Sequence, residues 1–273
     1  LLPALATAQR NARSMKDSAQ MKEIHQSFLT FANEHQGKLP IPGLINRRAD
    51  PFLGHIPDSG PENAAENRSS SLYSSMIAQD YFGTDIVIGT TEVNPVVVEK
   101  TDYDYSQYAP GRDSYWDRFF KMDIYGVPPQ NVSHGSYAHM AICGDRKSIK
   151  WRDSQAPGDP IIGTRGIKNG DREGEPNYDN SPTLLLHGGR RQWVGYVCFN
   201  DNHTERLGNF YPQLTTFESA NSSLGPQKDN IFAAEFTGNP NGNEAEADAW
   251  LVIARAANPN GTQISESYDK LLR

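Results

Sequence analysis

The most regular pattern in the chain lies at its start, where apolar positions recur at steps of three and four over residues 1–36. Within each of two stripes this spacing places the apolar positions on one side of an α-helix, with the second stripe rotated from the first, and it predicts a single long amphipathic helix. Its end is predicted by His35 and Gly37, which are typical of a helix C-terminus, and by Pro40 and Pro42, which cannot continue it. A first stripe, the assembly stripe, consists of Leu5, Ala8, Ala12, Met15 and Ala19, and a second, bulkier stripe consists of Met21, Ile24, Phe28 and Phe31.

The two stripes differ in side-chain size, and the difference predicts two kinds of contact. Small side chains let helices approach each other closely, whereas bulky ones fill the space against a sheet. We therefore expect the C-terminal half of the helix to pack on its own head and the N-terminal half to meet copies of itself. The alternative is a core helix of an ordinary domain. The chain is accordingly divided into an N-terminal helix, residues 1–37, and a globular head, residues 38–273.

Shorter patterns predict an α+β head that follows the long helix. Helices are predicted over residues 70–83 and near residues 265–272. Residues 153–180, rich in Gly, Asp and Pro, are predicted to form a solvent-exposed loop. Apolar runs predict strands at residues 85–89, 96–99, 137–143, 148–152, 183–187, 231–236 and 250–256, and a hairpin at residues 192–200.

Residues 101–122 are unusually rich in aromatic side chains. Trp116, Phe119 and Phe120 have helical spacing, which favours core packing. The tyrosines of this segment, Tyr103, Tyr105, Tyr108 and Tyr115, can equally form a surface for a sugar or another subunit.

Composition restricts the partners and the class of fold. The chain has 273 residues and a formal net charge of −7, which argues against nucleic acid as a partner. No run in the sequence approaches the roughly 18 apolar residues of a membrane span. Two cysteines are too few for a disulfide scaffold. Cys143 and Cys198 both lie in strand-like runs, so they could form a disulfide if those strands are neighbours, or remain two buried thiols.

The opening of the long helix reads Leu-Leu-Pro-Ala-Leu at residues 1–5, followed by Ala8, Arg10, Ala12 and Arg13, and the helix ends at His-Gln-Gly-Lys-Leu-Pro. These residues resemble the N-terminal helix of type II secretion pseudopilins and type IV pilin-like proteins. The resemblance implies a pilin-like fold, with the helix packed on an antiparallel sheet that carries long loop insertions. It also implies a structural, non-enzymatic subunit of a pseudopilus or pilus-like filament, whose partners are copies of itself, other pseudopilins and secretion components.

The same resemblance implies a location at the cell envelope or outside the cell. In that family a leader is cleaved, the new N-terminus is methylated, and an apolar segment anchors the subunit in the inner membrane. That segment is missing from this sequence, so we expect a truncated or proteolysed form. An extracytoplasmic location favours the disulfide between Cys143 and Cys198 slightly over two thiols.

A second match lies in the head, at His-Gly-Gly in residues 187–189 and Phe-Asn-Asp-Asn-His in residues 199–203. It resembles a hairpin of the same pseudopilin-like group, with Asn202 in place of the usual glycine. Asparagine tolerates the left-handed conformation that such a turn needs. We expect the aspartate to bind its own turn and the first histidine to reach across from the neighbouring strand. The predicted structural latch consists of His187, Asp201, Asn202 and His203.

The sequence contains two candidate metal sites, one with oxygen ligands only and one with both oxygen and nitrogen ligands. The loop at residues 238–248 is rich in amide and carboxylate oxygens, which suit calcium, and major pseudopilins carry a calcium loop in a similar place. The predicted calcium ligands are Asn243, Glu246 and Asp248, and a loop without metal is the alternative. His187, Asp201 and His203 could instead hold the metal of a secreted hydrolase, the least favoured interpretation.

One other function class stays open beside the filament subunit. An extracellular module could bind a glycan or a protein on the same pilin-like scaffold, with the tyrosine-rich segment at residues 103–120 as its surface.

Overall fold

The N-terminal helix is continuous. The computed structural model describes residues 2–50, 52, 54–57, 61–109, 112–126, 131–170, 178–189, 191–218, 225–234 and 248–269. Helix α1 spans Leu2–Glu34, 33 residues, and is therefore roughly 50 Å long. It ends where Gln36 and Gly37 adopt left-handed backbone angles, with φ of 58° and 76°. The prediction of one long helix that stops near residue 36 is confirmed.

The head is built on one antiparallel sheet of six strands. Their spatial order is β10-β9-β3-β4-β5-β6, and every neighbouring pair is antiparallel. The strands are β3 (Tyr137–Met140), β4 (Pro160–Thr164), β5 (Gly195–Phe199), β6 (Thr204–Leu207), β9 (Leu251–Ala257) and β10 (Ile264–Ser267). With α1 on this sheet, the chain is an α+β protein, as predicted.

Four shorter strands and two short helices complete the regular elements of the described residues. Strands β1 (Asn46–Asp50) and β2 (Gly54–Pro57) form one two-stranded sheet, and β7 (Thr216–Glu218) and β8 (Pro226–Lys228) form another. Helix α2 (Ser69–Ala78) precedes β3 in the chain, and helix α3 (Gly144–Ile149) lies between β3 and β4. Short 3-10 turns and irregular segments link these elements.

The bulky stripe of α1 forms the centre of the core. Met21, Ile24 and Phe28 are fully buried, and Phe31 is 5% exposed. The ring of Phe28 meets that of Trp151 edge to face, with centroids 5.8 Å apart. The C-terminal half of α1 therefore packs on its own head, as the size of its side chains predicted.

Several predicted elements are wrong, each for a local reason. Residues 85–89 and 96–99 form turns and irregular backbone, and residues 148–152 include the end of α3. Residues 182–185 form a 3-10 helix rather than a strand, because Pro182 favours the first turn of a helix. In the C-terminal segment predicted as a helix, residues 265–267 belong to β10 instead, and residues 270–272 lie outside the described residues.

The other differences concern strand positions. Residues 195–199 form one arm of a hairpin, and its turn and second arm follow at residues 200–207. Residues 231–234 form a turn, and the remainder of that predicted strand lies outside the described residues. The segment 153–180 was predicted to be exposed loop, but β4 within it is buried at all five positions. Its apolar run is only two residues long, too short for a periodic signal.

Candidate functional site

The assembly stripe of α1 faces solvent. Residues 4–13 are exposed on every side of the helix. Leu5 is 57% exposed and Met15 is 63% exposed. At about 100° per residue, the stripe centres on the side of α1 opposite to buried Asp17 and Phe28. All five members of the stripe, Leu5, Ala8, Ala12, Met15 and Ala19, are exposed.

Burial on the other side of α1 begins with polar residues. Ser14 is 7% exposed and Asp17 is 1% exposed. Asp17 Oδ1 accepts hydrogen bonds from the backbone N–H and the hydroxyl of Thr90, each at 2.6 Å. Its second oxygen accepts one from the hydroxyl of Thr91. A buried carboxylate with several donors is strongly held in place, so Asp17 fixes the middle of α1 to the head.

The loop that receives Asp17 is itself held by a buried ion cluster. Glu92 accepts two hydrogen bonds from the guanidinium of Arg165, at 2.6 and 2.8 Å. Arg165 also donates to Asp269, at 3.1 Å. Burial opposes ionisation of Glu92, but the charge of Arg165 and the hydrogen bonds that Glu92 accepts together outweigh it, and the pKa of Glu92 is lowered. The loop therefore joins α1 to the end of β4 through charged groups with low exposure.

Further polar contacts extend the junction along α1. Ser18 Oγ donates to Thr204 Oγ1 at 3.0 Å, which connects the helix to β6. Gln20 accepts a hydrogen bond from the hydroxyl of Tyr137 at 3.1 Å and donates to the carbonyl of Ile88 at 3.3 Å. Because these contacts reach separate parts of the head, they define the direction in which α1 leaves it.

His187 belongs to this junction and not to the predicted hairpin latch. Its Nδ1 lies 3.0 Å from Ser14 Oγ, and its Nε2 lies 3.6 Å from Asp17 Oδ2. Burial lowers the pKa of His187, and the charge of Asp17 opposes that effect. The ring of His187 meets that of Tyr196 on β5 edge to face, with centroids 5.3 Å apart. The prediction that His187 reaches Asp201 is wrong, because the polar partners of its ring lie on α1.

The turn between β5 and β6 keeps the other part of the predicted latch. Asn202 has φ of 64°, the left-handed conformation predicted for it. Asp201 accepts a hydrogen bond from the backbone N–H of His203 at 3.2 Å and also contacts its ring nitrogen. The side chain of Asn202 meets α1, with Oδ1 3.1 Å from His25 Nδ1 and Nδ2 donating to Gln26 Oε1 at 2.9 Å. The turn therefore docks on the helix.

Cys198, His25 and Asn202 form a thiol, imidazole and amide cluster that sequence spacing did not reveal. Cys198 Sγ lies 3.6 Å from His25 Nδ1, the same nitrogen that Asn202 contacts. A nucleophilic pair needs a thiolate within reach of substrate. Cys198 and His25 are both fully buried, and burial raises the pKa of Cys198 to about 12. This arrangement suits core packing and opposes nucleophilic chemistry.

Asp248, one of the predicted calcium ligands, forms an ion pair with Arg146. Its carboxylate contacts the guanidinium of Arg146, and its carbonyl accepts from Arg146 Nε at 2.7 Å. Both side chains are almost completely buried. The other predicted ligands, Asn243 and Glu246, lie outside the described residues. In the part of the chain that is described, no group of three or more His, Cys, Asp or Glu side chains is placed to hold a metal ion.

The predicted disulfide is absent. Cys143 and Cys198 are buried, reduced thiols. Cys143 follows β3 and Cys198 lies on β5, and β4 separates these strands. The two side chains also belong to different apolar clusters, so the sheet order keeps the sulfurs apart.

The aromatic segment is partly core and partly surface. Phe120 and Tyr115 are buried, which confirms core packing for Phe120. Phe119 is 59% exposed, so the same prediction is wrong there, because no helix forms over residues 112–122 to place it beside its neighbours. Tyr105 and Tyr108 are exposed.

Asp17 and Arg165 were missed by the sequence analysis. Ser14 and Asp17 precede Met21, Ile24 and Phe28 at the same three-and-four spacing, so the buried face begins with two polar positions. That interruption of an apolar stripe could have indicated a buried polar anchor. Arg165 carried no such signal, since it lies in a segment of loop-like composition.

Comparisons with known proteins found no relative of this chain. No protein-family model, curated protein or solved structure matches this chain. Within the described residues, none of the helices has both the length and the apolar character that crossing a membrane requires.

Proposed function

We propose that this chain is a structural subunit of a pilin-like filament, of the type II secretion pseudopilus or type IV pilus kind, and that copies assemble through the N-terminal part of α1. The observation that carries the proposal is the exposure of residues 4–13 on every side of a helix whose later turns are fixed in the head. An exposed apolar stripe is favourably covered by another chain.

The junction between helix and head supports a structural role. Asp17 anchors α1 to a loop that Arg165 holds through Glu92. Because such a junction is buried and charged, the head is displayed at a defined angle to the helix. A filament subunit needs this property, since every copy must repeat the same contacts.

The proposal places the protein at the cell envelope or outside the cell, with copies of itself and other secretion components as partners. It also assigns no catalytic role. The buried thiol of Cys198, with a pKa of about 12, supports that assignment because a nucleophile must ionise and meet its substrate.

Crosslinking in the producing cell tests the proposal. Ala8→Cys, introduced into the natural gene, should give disulfide-linked dimers, because one exposed thiol per subunit can join two copies, and electron microscopy with antibodies to the head should show filaments. Ala12→Glu should abolish the filaments, because it places a charge on the assembly stripe. Ala6→Glu is the matched control: the same exposed residue type lies outside the stripe, and its filaments should persist. Absence of both disulfide-linked dimers and filaments with Ala8→Cys would refute the proposal.

A further inference from the structure

Three neighbouring cavities on the head share one side chain. The indole of Trp116 lines cavities of ≈260, ≈120 and ≈450 Å³. The smallest also shares Tyr115 with the first cavity, and Arg68 and Arg118 with the largest. Because each cavity shares its walls with the next, the three form one groove, which we call the Trp116 groove. Of its lining residues, Phe31 belongs to α1, and none contributes to the polar contacts of Asp17, Ser18 and Gln20 with the head.

One end of the groove is aromatic. Tyr105 and Tyr108 are each 57% exposed, and their rings line the first cavity with Trp116. The ring of Tyr108 meets Tyr115 edge to face at 6.0 Å. In the described part of the chain, the hydroxyls of Tyr105 and Tyr108 have no hydrogen-bond partner. Aromatic faces with open hydroxyls suit a ligand that has both C–H faces and hydroxyl groups, as a sugar ring has.

The other end is basic. Arg68, Arg118, Lys121 and Arg255 line the largest cavity, and Asp123 is the one carboxylate that lines it. Arg118 and Lys121 are exposed and have no ion pair with any described residue. Arg68 is partly engaged by Glu66, at 3.3 Å. Since the whole chain has a net charge of −7, this local excess of cations does not follow from overall composition.

Helix α2 adds backbone donors at the same end. It has ten residues, Ser69–Ala78, and no side chain caps its first turn. Ser70 and Ser71, in that first turn, line the largest cavity. The uncapped N–H groups of a helix N-terminus attract negative charge, and here they lie beside the four basic side chains.

We infer that the Trp116 groove binds an acidic oligosaccharide. Its sugar rings stack on Trp116 and the exposed tyrosines, while its carboxylates or sulfates bind Arg118, Lys121 and Arg255. The three cavities and their aromatic end exceed what a lone inorganic anion needs. Four carboxylates, those of Glu66, Asp104, Asp113 and Asp123, also line the groove, so a chain with a phosphate at every unit meets repulsion that a sugar chain with spaced charges avoids.

Tryptophan fluorescence of the intact protein tests the inference. Trp151 and Trp193 are 1% exposed and Trp250 is 4% exposed, whereas Trp116 is half-buried in the groove. A hyaluronan hexasaccharide, which carries a carboxylate on alternate units, should change the emission with saturation and bind more weakly at high salt. The emission change should be lost in Trp116→Phe, with binding followed by calorimetry.

Three further measurements complete the test. Arg118→Ala combined with Lys121→Ala should weaken binding at least about tenfold, because two charge-assisted contacts are lost. Both side chains are exposed, so the melting temperature should not change. Lys228→Ala is the matched control, an exposed cation outside the groove, and should bind as the wild type does.

Other ligands give outcomes that overturn the inference. Equal binding of maltohexaose would show a neutral sugar site, and tighter binding of a thymidylate hexamer would show a nucleic-acid site. Inorganic phosphate that binds as well as the hexasaccharide would show an anion site only. Absence of binding by all four probes would also overturn it. None of these outcomes depends on whether the chain forms filaments.

Discussion

Asp17 Oδ1 accepts both the backbone N–H and the hydroxyl of Thr90, each at 2.6 Å. This double contact lies on the one side of α1 that turns toward the head, at the first buried turn of the helix. Because Thr90 belongs to the loop held by Arg165, the contact transmits the position of the sheet to the helix. The direction of α1 is therefore set by a few buried polar groups as well as by the apolar core.

Removal of the Asp17 carboxylate should destabilise the head. Asp17→Ala leaves the half-buried N–H groups of Thr90 and Thr91 without their acceptor, and we expect a loss of about 2–3 kcal/mol in the free energy of unfolding. Asp17→Asn keeps an acceptor and should lower the free energy of unfolding by less than Asp17→Ala does. Urea denaturation measures both. Lys16→Ala, the exposed neighbour, should remain within about 0.5 kcal/mol of the wild type. An equal effect of Asp17→Ala and Lys16→Ala would contradict the anchoring role.

Asn202 has two separable roles, its turn and its contacts with α1. Asn202→Gly keeps the left-handed turn but loses the bonds to His25 and Gln26, so we expect a loss of about 1–2 kcal/mol. Asn202→Ala also strains the turn and should lose roughly 1 kcal/mol more. The two variants are compared by urea denaturation. If they are equally stable, the left-handed conformation contributes nothing measurable at this position.

Cys198 should be unreactive in the native protein. Its thiol is fully buried, and its pKa is raised to about 12, so almost none of it is thiolate near neutral pH. Iodoacetamide should leave Cys198 unmodified until the protein is unfolded, as peptide mass spectrometry will show. The exposed thiol introduced by Ala8→Cys is the positive control in the same sample. Labelling of both thiols at one rate would refute burial of Cys198.

His139 should make the head less stable in mild acid. Burial lowers its pKa from 6.5 to about 4, so the unfolded state binds more protons between these values. Stability therefore falls as the pH drops through this window. From linkage, we expect a loss on the order of 2 kcal/mol from this residue between about pH 7 and about pH 5. Urea denaturation at the two pH values measures it.

The matched variant is His139→Gln, which has a donor and an acceptor but does not titrate. The neutral ring of His139 contacts Ser69 through Nε2, at 2.7 Å, and the carbonyl of Met140 through Nδ1, at 2.8 Å. His139→Gln should show a smaller loss of stability on acidification than the wild type. The same pH dependence in both proteins would assign the effect to other groups.

Elements whose signals are local could be predicted from the sequence alone. α1 is a single helix of 33 residues, as the spacing of its apolar positions predicted, and its bulky stripe is buried as its side chains required. The turn at Asn202 was likewise predictable, because asparagine is among the few residues that adopt the left-handed conformation at low cost. The α+β class followed from these elements and from the apolar runs of β3 and β9.

Which distant residues meet depends on the assembled fold. β4 is buried although it lies within a loop-like segment, and Arg165 is buried beside Glu92 and Asp269. Both depend on contacts between residues that are far apart in the chain. The same is true of His187, which pairs with α1 rather than with Asp201, and of the cysteines, which β4 separates. A short strand or a lone charged residue has no period along the sequence. A charged residue is buried only where its partners make burial favourable in free energy. Those partners come together only when the sheet and the helix have assembled.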